Sequence, residues 1–138
     1  IDAGWQCVVV GKFYKCKFIK KYKQNSAFIF YEFLTKSDLI VLYNNCRLFL
    51  STSIQEGFGF TPLEAIINNA PVAVLKSDIS EEIMGNIGVQ TIPKDIYSQQ
   101  IIELTTKNFM NVDAKQCLIY YNWETSIQKH QSILFDND

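Results

Sequence analysis

Short apolar runs that alternate with helical segments constrain the fold of this chain of 138 residues more than any other feature. Each run is brief and mainly apolar, which is typical of strands that are covered on both faces in a parallel sheet. The predicted strands are residues 6–11, 26–31, 46–51, 72–75 and 89–92. Because parallel strands need crossover connections, the alternation predicts one α/β domain over residues 1–138, with an open, doubly wound parallel sheet and helices on both faces.

Helix signals lie between and after the predicted strands. Thr35 or Ser37 begins one helix, because Thr35 and Asp38 have the spacing of a capping box. Further along the chain, Asn69 suits the left-handed conformation that ends many helices, and Pro71 prevents the preceding helix from continuing. The predicted helices lie within residues 12–23, 35–43, 61–68, 80–84, 98–108, 112–121 and 122–134.

The composition is that of a globular protein without a strong charge of either sign. Hydrophobic residues make up 48% of the chain and aromatic residues 14%, whereas disordered chains are depleted in aromatic and β-branched residues. The net charge of −1 and the pI near 5.8 give no overall field that would attract nucleic acid. We therefore expect no nucleic-acid partner.

A lysine-rich segment, residues 12–23, is the local exception, because a basic amphipathic helix can bind a membrane surface. Within this segment Phe13, Cys16 and Ile19 recur at helical spacing and form one apolar stripe. We therefore favour an ordinary amphipathic helix with solvated lysines over a membrane-surface patch.

The cysteines and the histidine predict no metal site. The four cysteines include no C-x-x-C motif and show no regular spacing with the single histidine, His130. Free cysteine commonly behaves as a small buried hydrophobe, and unpaired cysteines favour a reducing, cytoplasmic setting. The sequence predicts no transmembrane segment, and its first residues do not resemble a signal peptide.

A glycine-framed acidic loop leads into the helix that is predicted to begin at Thr61. Thr61 is placed to cap this helix, Pro62 follows at a position where no N–H donor is needed, and Glu64 stands three residues after the cap. Gly57 and Gly59 let a ligand approach the backbone, and the unpaired N–H groups at a helix start favour an anion. The loop is therefore a candidate site for a phosphate or a sugar.

Simpler explanations exist for each part of this loop taken singly. A capping box selects a glutamate at the position of Glu64 without any ligand, and turns alone account for the two glycines. Glu56 alone fits a solvated loop residue. The joint occurrence of these residues between a strand and a helix favours a ligand site.

The segment Ser53-x-x-Glu56-Gly-Phe-Gly-x-x-x-x-Glu64-Ala resembles the E-x7-E motif of the family 4 retaining glycosyltransferases, in their C-terminal domain. Pro71-Val72 follows, as in the family's G-x-P-V, and the resemblance extends over residues 5–134. It implies that the chain is the Rossmann-like, donor-binding half of a GT-B architecture. It also implies hexosyl transfer, with retention, from a nucleotide-diphosphate sugar to an acceptor hydroxyl.

The resemblance further implies roles for single residues. Glu56 matches the glutamate that contacts hydroxyls of the donor sugar and is the candidate catalytic residue, while Glu64 matches the glutamate that holds the ribose hydroxyls. A carboxylate accepts two hydroxyl hydrogen bonds at once, which suits both roles. The positions that match the sugar- and phosphate-binding segment are Gly57, Phe58, Gly59, Phe60 and Thr61. The positions that match the base-binding segment are Phe33 and Leu34.

The same resemblance implies the partners of the chain. The expected substrate is a UDP- or GDP-hexose, with no metal and no other cofactor. In the family, an earlier strand with a glycine-rich turn, an Arg and a Lys precedes the matched segment, and an N-terminal domain supplies the acceptor site. We therefore expect a C-terminal portion of a longer enzyme, with a glycan or lipid-linked acceptor and with peripheral membrane association as an alternative to a purely cytoplasmic location.

Two other functions stay open at this point. A nucleotide- or sugar-binding module without catalysis, acting as a regulatory or partner subunit, would be complete as it stands. A GT-B epimerase domain would share the architecture, although Glu-Gly-Phe-Gly favours transfer over epimerisation. The chain departs from the family at Glu32, where a glycine is usual.

Overall fold

The computed structural model divides the chain into two compact units, Ile1–Leu39 and Ile40–Asp138, and each is described by itself. The residues that the structure describes are 4–12, 17–53, 58–96, 99, 101, 103, 104, 112–122 and 124. Most of the helix predicted at 98–108, most of that predicted at 122–134 and the residue His130 lie outside these ranges.

Two parallel strands joined by a helix form the first unit. Strand β1 spans Cys7–Val10, helix α1 spans Lys17–Tyr22, and strand β2 spans Phe28–Tyr31. The two strands pair residue for residue along their whole length. Because parallel strands cannot be joined by a tight hairpin, α1 belongs to the crossover, and Tyr22 packs on Phe28 with ring centroids 5.0 Å apart.

Strand β1 is exposed, which contradicts the prediction that both of its faces are covered. Val8 and Val10 keep 38% and 40% of their surface exposed. Among the described strands β1 pairs with β2 alone, and burial of both faces needs packed layers above and below the strand. The apolar run therefore predicted the strand correctly and its burial wrongly.

Helix α2, Lys36–Asn45, begins where the capping box predicts. The Asp38 N–H donates to Thr35 Oγ1 at 3.2 Å, and the Thr35 N–H donates to Asp38 Oδ2 at 3.3 Å. The Thr35 hydroxyl also donates to Asp38 Oδ2 at 2.6 Å. Of the two predicted caps, Thr35 is the one that caps the helix, because Ser37 lies inside its first turn.

The second unit contains the end of α2 and a three-stranded parallel sheet in the order β3-β4-β5. Strand β4 is central, and all four of its residues are buried. The elements are β3 Phe49–Ser51, α3 Phe60–Ile67, β4 Val72–Leu75, α4 Asp78–Met84, a 3-10 turn Gly85–Ile87, β5 Gln90–Ile92 and α5 Ala114–Tyr120.

The core of this unit lies around β4 and the inner face of α3. Ala65 and Ile66 of α3 are 0% and 1% exposed, and α3 packs against β3, β4 and α5. Tyr43, at the end of α2, is 6% exposed and meets Phe49 edge to face with ring centroids 5.6 Å apart. This packing holds the first turn of α3 at the carboxyl end of the sheet.

The end of α3 confirms the prediction for Asn69, which has a φ of 61°. The Asn69 N–H donates to the Ile66 carbonyl at 2.9 Å, and the Ala70 N–H donates to the Ala65 carbonyl at 2.9 Å. These are the two hydrogen bonds of a Schellman motif, which satisfies carbonyls that the helix leaves unpaired.

The structure confirms an α/β chain whose parallel strands alternate with helices. The strand pairs fall in two sheets, β1–β2 and β3–β4–β5, so the single sheet and the single domain over residues 1–138 stay predictions. Within the described ranges, every helix is too short or too polar to cross a lipid bilayer.

Candidate functional site

The candidate site lies where β3 leads into α3. Strand β3 ends at Ser51 and helix α3 begins at Phe60, with residues 54–57 of the connection outside the described ranges. In open parallel sheets, ligands bind outside the carboxyl ends of the strands. This junction stands at such an end.

Gly59, not Thr61, occupies the position before α3. It has a φ of 75° and a ψ of 43°, in the left-handed region, and its carbonyl accepts a helical hydrogen bond from the Leu63 N–H at 3.4 Å. Thr61 therefore lies within the first turn, and the prediction that it caps the helix is wrong. The left-handed glycine turns the chain into the helix two residues before the predicted cap.

This earlier start changes the explanation of Pro62 and Glu64. Pro62 is the third residue of the helix, where N–H groups have no partner inside the helix, so a proline is tolerated there. Glu64 no longer stands at the third helical position, so a capping box does not account for it. Gly59 offers no side-chain acceptor to the N–H groups of Phe60 and Thr61, which leaves the helix start suited to an anion.

The side chain of Met84, the last residue of α4, packs directly against Gly59. A Cβ added to Gly59 would lie 3.1 Å from Met84 Cε, and Met84 is only 2% exposed. The positive φ selects glycine at this position, whereas the flexible end of Met84 could shift to admit a Cβ.

Phe58 packs against two other aromatic rings. Its ring centroid lies 5.0 Å from that of Phe60, and it lies 5.5 Å from that of Tyr121, which it meets edge to face. Such pairs are worth about 0.5–1.5 kcal/mol beyond the burial of their area. The Tyr121 hydroxyl donates a hydrogen bond to the Ile83 carbonyl, so the ring that meets Phe58 is itself attached to α4.

A shallow depression opens at the carboxyl ends of β3 and β4, beside this junction. The start of α4 forms one wall, where the Ser80 N–H donates to Ser77 Oγ at 3.1 Å and the Ser77 N–H donates to Ser80 Oγ at 2.7 Å. This reciprocal cap holds the wall in place. The residues that line the depression are Ser51, Ser53, Phe58, Gly59, Pro62, Val74, Leu75, Ser77, Ile79, Ser80, Ile83 and Met84.

Glu64 is exposed on α3 and borders a mainly apolar groove of about 450 Å³ between α3 and α5. Burial, chiefly, and then the negative charge of Glu64 raise the pKa of the Tyr43 hydroxyl above its ordinary value. The Glu64 carboxylate is therefore close enough to this buried tyrosine to favour its protonated form. The other residues that line the groove are Phe58, Phe60, Leu63, Ile67, Cys117, Leu118 and Tyr121.

Lys76 carries a positive charge just after the end of β4. Its backbone N–H donates to the Ile92 carbonyl at 2.9 Å, and its Nζ lies 2.7 Å from Glu81 Oε1. Both side chains are about half exposed, so the ion pair contributes little stability. In the part of the chain that the structure describes, no group of three or more His, Cys, Asp and Glu side chains could hold a metal ion.

The predicted site residues fall into three groups. Those brought together around the start of α3 are Phe58, Gly59, Phe60, Thr61 and Glu64. Glu56 and Gly57 lie outside the described residues. Phe33 and Leu34 belong to the first unit, where Phe33 is 80% exposed and Leu34 is half-buried. The roles of all nine in ligand binding stay predictions.

Sequence reasoning missed the contacts that Ile83 and Met84 of α4 make at this site. Met84 lies 25 positions after Gly59 in the chain, and Ile83 lies 38 positions before Tyr121. No local spacing links residues so far apart, because the contacts arise only when α4 packs beside the loop and α5. The contacts of Tyr121 with the Phe58 ring and with the Ile83 carbonyl are those of a packing residue.

A family model covers most of the chain. Residues 2–107 match the model described as "Glycosyl transferases group 1". The matched region extends from before β1 to beyond β5. It therefore includes every residue that the sequence analysis assigned to a ligand.

Curated relatives match part of the chain, among them two mannosyltransferases. The serotype-specific mannosyltransferase WbdA of Escherichia coli is 45% identical over 73 residues, which is 51% of this chain and 9% of that protein. The O-antigen chain mannosyltransferase RfbU of Salmonella typhimurium is 34% identical over 64 residues, which is 46% of this chain and 18% of that protein. The matched segments thus span less than a fifth of either relative. No solved structure matches the chain.

Proposed function

We propose that this chain, which belongs to the family of group 1 glycosyl transferases, is the donor-binding half of a retaining GT-B enzyme. The enzyme would transfer a hexosyl group from a nucleotide-diphosphate sugar to an acceptor hydroxyl. The observation that carries the proposal is the left-handed Gly59 at the start of α3, beside the carboxyl end of β3. It supports a backbone site for the donor diphosphate.

The strand pairs support the proposed half of a GT-B fold. In the common doubly wound order 3-2-1-4-5-6, strands 2 and 3 pair with each other, and strands 4, 5 and 6 pair in sequence. The observed pairs are β1 with β2, then β3 with β4 and β4 with β5, all parallel. On the proposal each of the two sheets corresponds to one of these runs of paired strands, and within the second unit the loop after β3 lies at the carboxyl end of a parallel sheet, where ligands bind.

The start of α3 is suited to a role in the reaction as well as in binding. When the bond between the sugar and the diphosphate breaks, negative charge builds on the departing diphosphate. The N–H groups of Phe60 and Thr61 and the helix dipole would stabilise that charge. Because this interaction strengthens as the charge develops, it would lower the barrier to transfer.

The two glutamates have separate roles in the proposal. Glu56 would contact the hydroxyls of the donor sugar, and Glu64 would hold the ribose hydroxyls. Glu64 lies four residues after Phe60, which places it about one helical turn beyond the helix start. That spacing suits a ribose joined to a diphosphate at the first turn. Phe33 and Leu34 would contact the base.

We propose mannose as the transferred sugar, because both relatives carry the name mannosyltransferase. The name of the Salmonella protein includes the O-antigen chain, which favours a glycan as the acceptor. These assignments concern a longer protein that contains this chain, since the matched segments are small parts of the relatives.

Titration of the chain with GDP-mannose tests the donor site. We expect the nucleotide sugar, at millimolar concentration, to move the amide resonances of residues 58–61, 63 and 64 while those of β5 stay unchanged. Glu64→Gln should weaken binding at least about tenfold, because hydrogen bonds to a charged group are worth about 1.5–3 kcal/mol. Glu82→Gln, at an exposed glutamate of α4, is the matched control and should bind like the unsubstituted chain.

Two results would contradict these assignments. If neither GDP-mannose nor a UDP-hexose moves any of these resonances, the donor site is wrong. If the chain by itself turns over a labelled donor, it is not merely half of an active site. Transfer by the longer protein separates an enzyme from a non-catalytic binding module, and in an enzyme Glu56→Gln should lower transfer by more than it weakens donor binding.

A further inference from the structure

Tyr121 links two segments of the second unit that are far apart in sequence. It follows the last residue of α5, and its hydroxyl donates to the Ile83 carbonyl in α4. Its ring meets Phe58 edge to face, with centroids 5.5 Å apart and planes at 87°. The hydrogen bond from the hydroxyl therefore fixes the orientation of the Tyr121 ring, which contacts Phe58 in the loop before α3.

The same part of α4 also contacts the next residue of the loop. Ile83 precedes Met84, whose Cε would lie 3.1 Å from a Cβ on Gly59. Tyr121 thus contacts Phe58, and Met84 contacts Gly59. The hydrogen bond from the Tyr121 hydroxyl to the carbonyl of Ile83, the residue before Met84, connects these two contacts. The contacts form one connected set around the entry to α3.

The other aromatic neighbour of Phe58 gives weaker support. Phe60 lies 5.0 Å away at a tilt of 45°, but its side chain is 69% exposed. An exposed ring keeps much of its rotational freedom, whereas the Tyr121 ring is held by a hydrogen bond at its far end. Of the two rings, Tyr121 therefore holds Phe58 more firmly.

We propose that Tyr121 is a positioning residue for donor binding. It holds Phe58, and thereby the loop that leads into α3, so that the N–H groups of the first turn of α3 point at the diphosphate. The inference rests on the proposed function, because it assigns a purpose to the geometry of that site. Backbone donors stabilise a bound anion only when they are held close to the productive geometry. A residue that contacts the loop but not the donor then affects donor affinity through the loop.

Three substitutions separate this role from general stability. Tyr121→Phe keeps the ring against Phe58 and removes the hydrogen bond from the hydroxyl to the Ile83 carbonyl, whereas Tyr121→Leu removes the ring as well. Tyr22→Leu is the matched control, because it removes another aromatic pair, with Phe28 at 5.0 Å, from the first unit. The readouts are the dissociation constant for GDP-mannose, the amide resonances of Phe58 and Gly59 without ligand, and the urea midpoint.

We expect Tyr121→Leu to weaken GDP-mannose binding roughly two- to tenfold, the range that corresponds to loss of one aromatic pair. It should also move the Phe58 and Gly59 resonances in the ligand-free chain. Tyr121→Phe should weaken binding less than Tyr121→Leu does, because it keeps the ring against Phe58 but releases the far end of that ring. Tyr22→Leu should retain the full affinity even if its urea midpoint falls as far as that of Tyr121→Leu. If Tyr121→Leu loses more affinity than Tyr22→Leu does, the difference is due to the changed position of the loop and not to lower stability.

The outcomes distinguish this inference from the proposed function. If the unsubstituted chain binds no nucleotide sugar, the proposed function fails and the positioning role fails with it. If the chain binds GDP-mannose and Tyr121→Leu binds it equally well, the positioning role alone is wrong. Equal weakening by Tyr22→Leu and Tyr121→Leu would also overturn it, since the effect would then be one of stability.

Discussion

The terminal methyl group of Met84 lies against Gly59, so close that a Cβ on Gly59 would stand 3.1 Å from it. The contact joins the last residue of α4 to the residue that precedes α3. The point where the loop turns into α3 is therefore determined by tertiary packing as well as by the left-handed glycine.

Gly59→Ala should lower the free energy of unfolding by about 1–2 kcal/mol, the cost of a left-handed conformation for a residue with a Cβ. The contact with Met84 adds little, because the end of a methionine side chain can shift. Urea denaturation measures the change. Gly85→Ala is the matched control: Gly85 has a φ of −62° and open space around its Cα, so alanine should be neutral or slightly stabilising. If Gly59→Ala and Gly85→Ala lowered the free energy of unfolding equally, the left-handed conformation of Gly59 would not explain the loss.

Thr35→Ala should lower the free energy of unfolding by about 1 kcal/mol, because it removes the side chain that caps α2. Ser37→Ala, two residues later on the exposed first turn, should change it by less than about 0.5 kcal/mol. Asp38→Ala combined with Thr35→Ala should cost less than the sum of the two single changes, since the two side chains bond to each other. A larger loss from Ser37→Ala than from Thr35→Ala would mean that the cap is misassigned.

Alkaline pH should destabilise the second unit through Cys117. Burial raises the pKa of this thiol above its ordinary value of 9.0, and the residue is 2% exposed. Above that ordinary value the unfolded chain loses the proton first, so the folded state binds more protons and stability falls as pH rises. The contribution is fully present below pH 9.0 and is lost as pH rises through the folded-state pKa.

Urea denaturation at several pH values from neutral to alkaline checks this dependence. Cys117→Ala should give a shallower fall in the free energy of unfolding above pH 9.0 than the unsubstituted chain. Ile119→Ala, at an exposed position on the same helix, should keep the original slope. The pKa values of Tyr43 and Cys46 are raised as well, so part of the fall in the free energy of unfolding should remain in Cys117→Ala. Identical slopes in Cys117→Ala and in the unsubstituted chain would contradict the assignment.

Features decided by hydrogen bonds between near neighbours could be predicted from the sequence. The Thr35–Asp38 box begins α2, and Asn69 ends α3 in the left-handed conformation. In both cases the residue type and the groups that it bonds lie within five positions of each other, so local spacing carries the information.

The start of α3 could not be decided in the same way. Gly59 and Thr61 are both good residues for the position before a helix, and Pro62 is acceptable at more than one place in a first turn. Local spacing does not choose between them, and the packing of Met84 against Gly59 has no signature in the local sequence. The exposure of β1 was missed for a similar reason, since an apolar run does not say how many layers cover it.

Helix α3 is bounded by a left-handed residue at each end, Gly59 with a φ of 75° and Asn69 with a φ of 61°. The helix cannot extend at either end unless φ of Gly59 or of Asn69 becomes negative. The length of the helix and the directions of its side chains are therefore fixed in the absence of a ligand. Phe60 and Glu64 are then about 6 Å apart along the axis. One residue inserted between them would rotate the Glu64 carboxylate by about 100° around the helix, so this short span tolerates changes of sequence far better than changes of length.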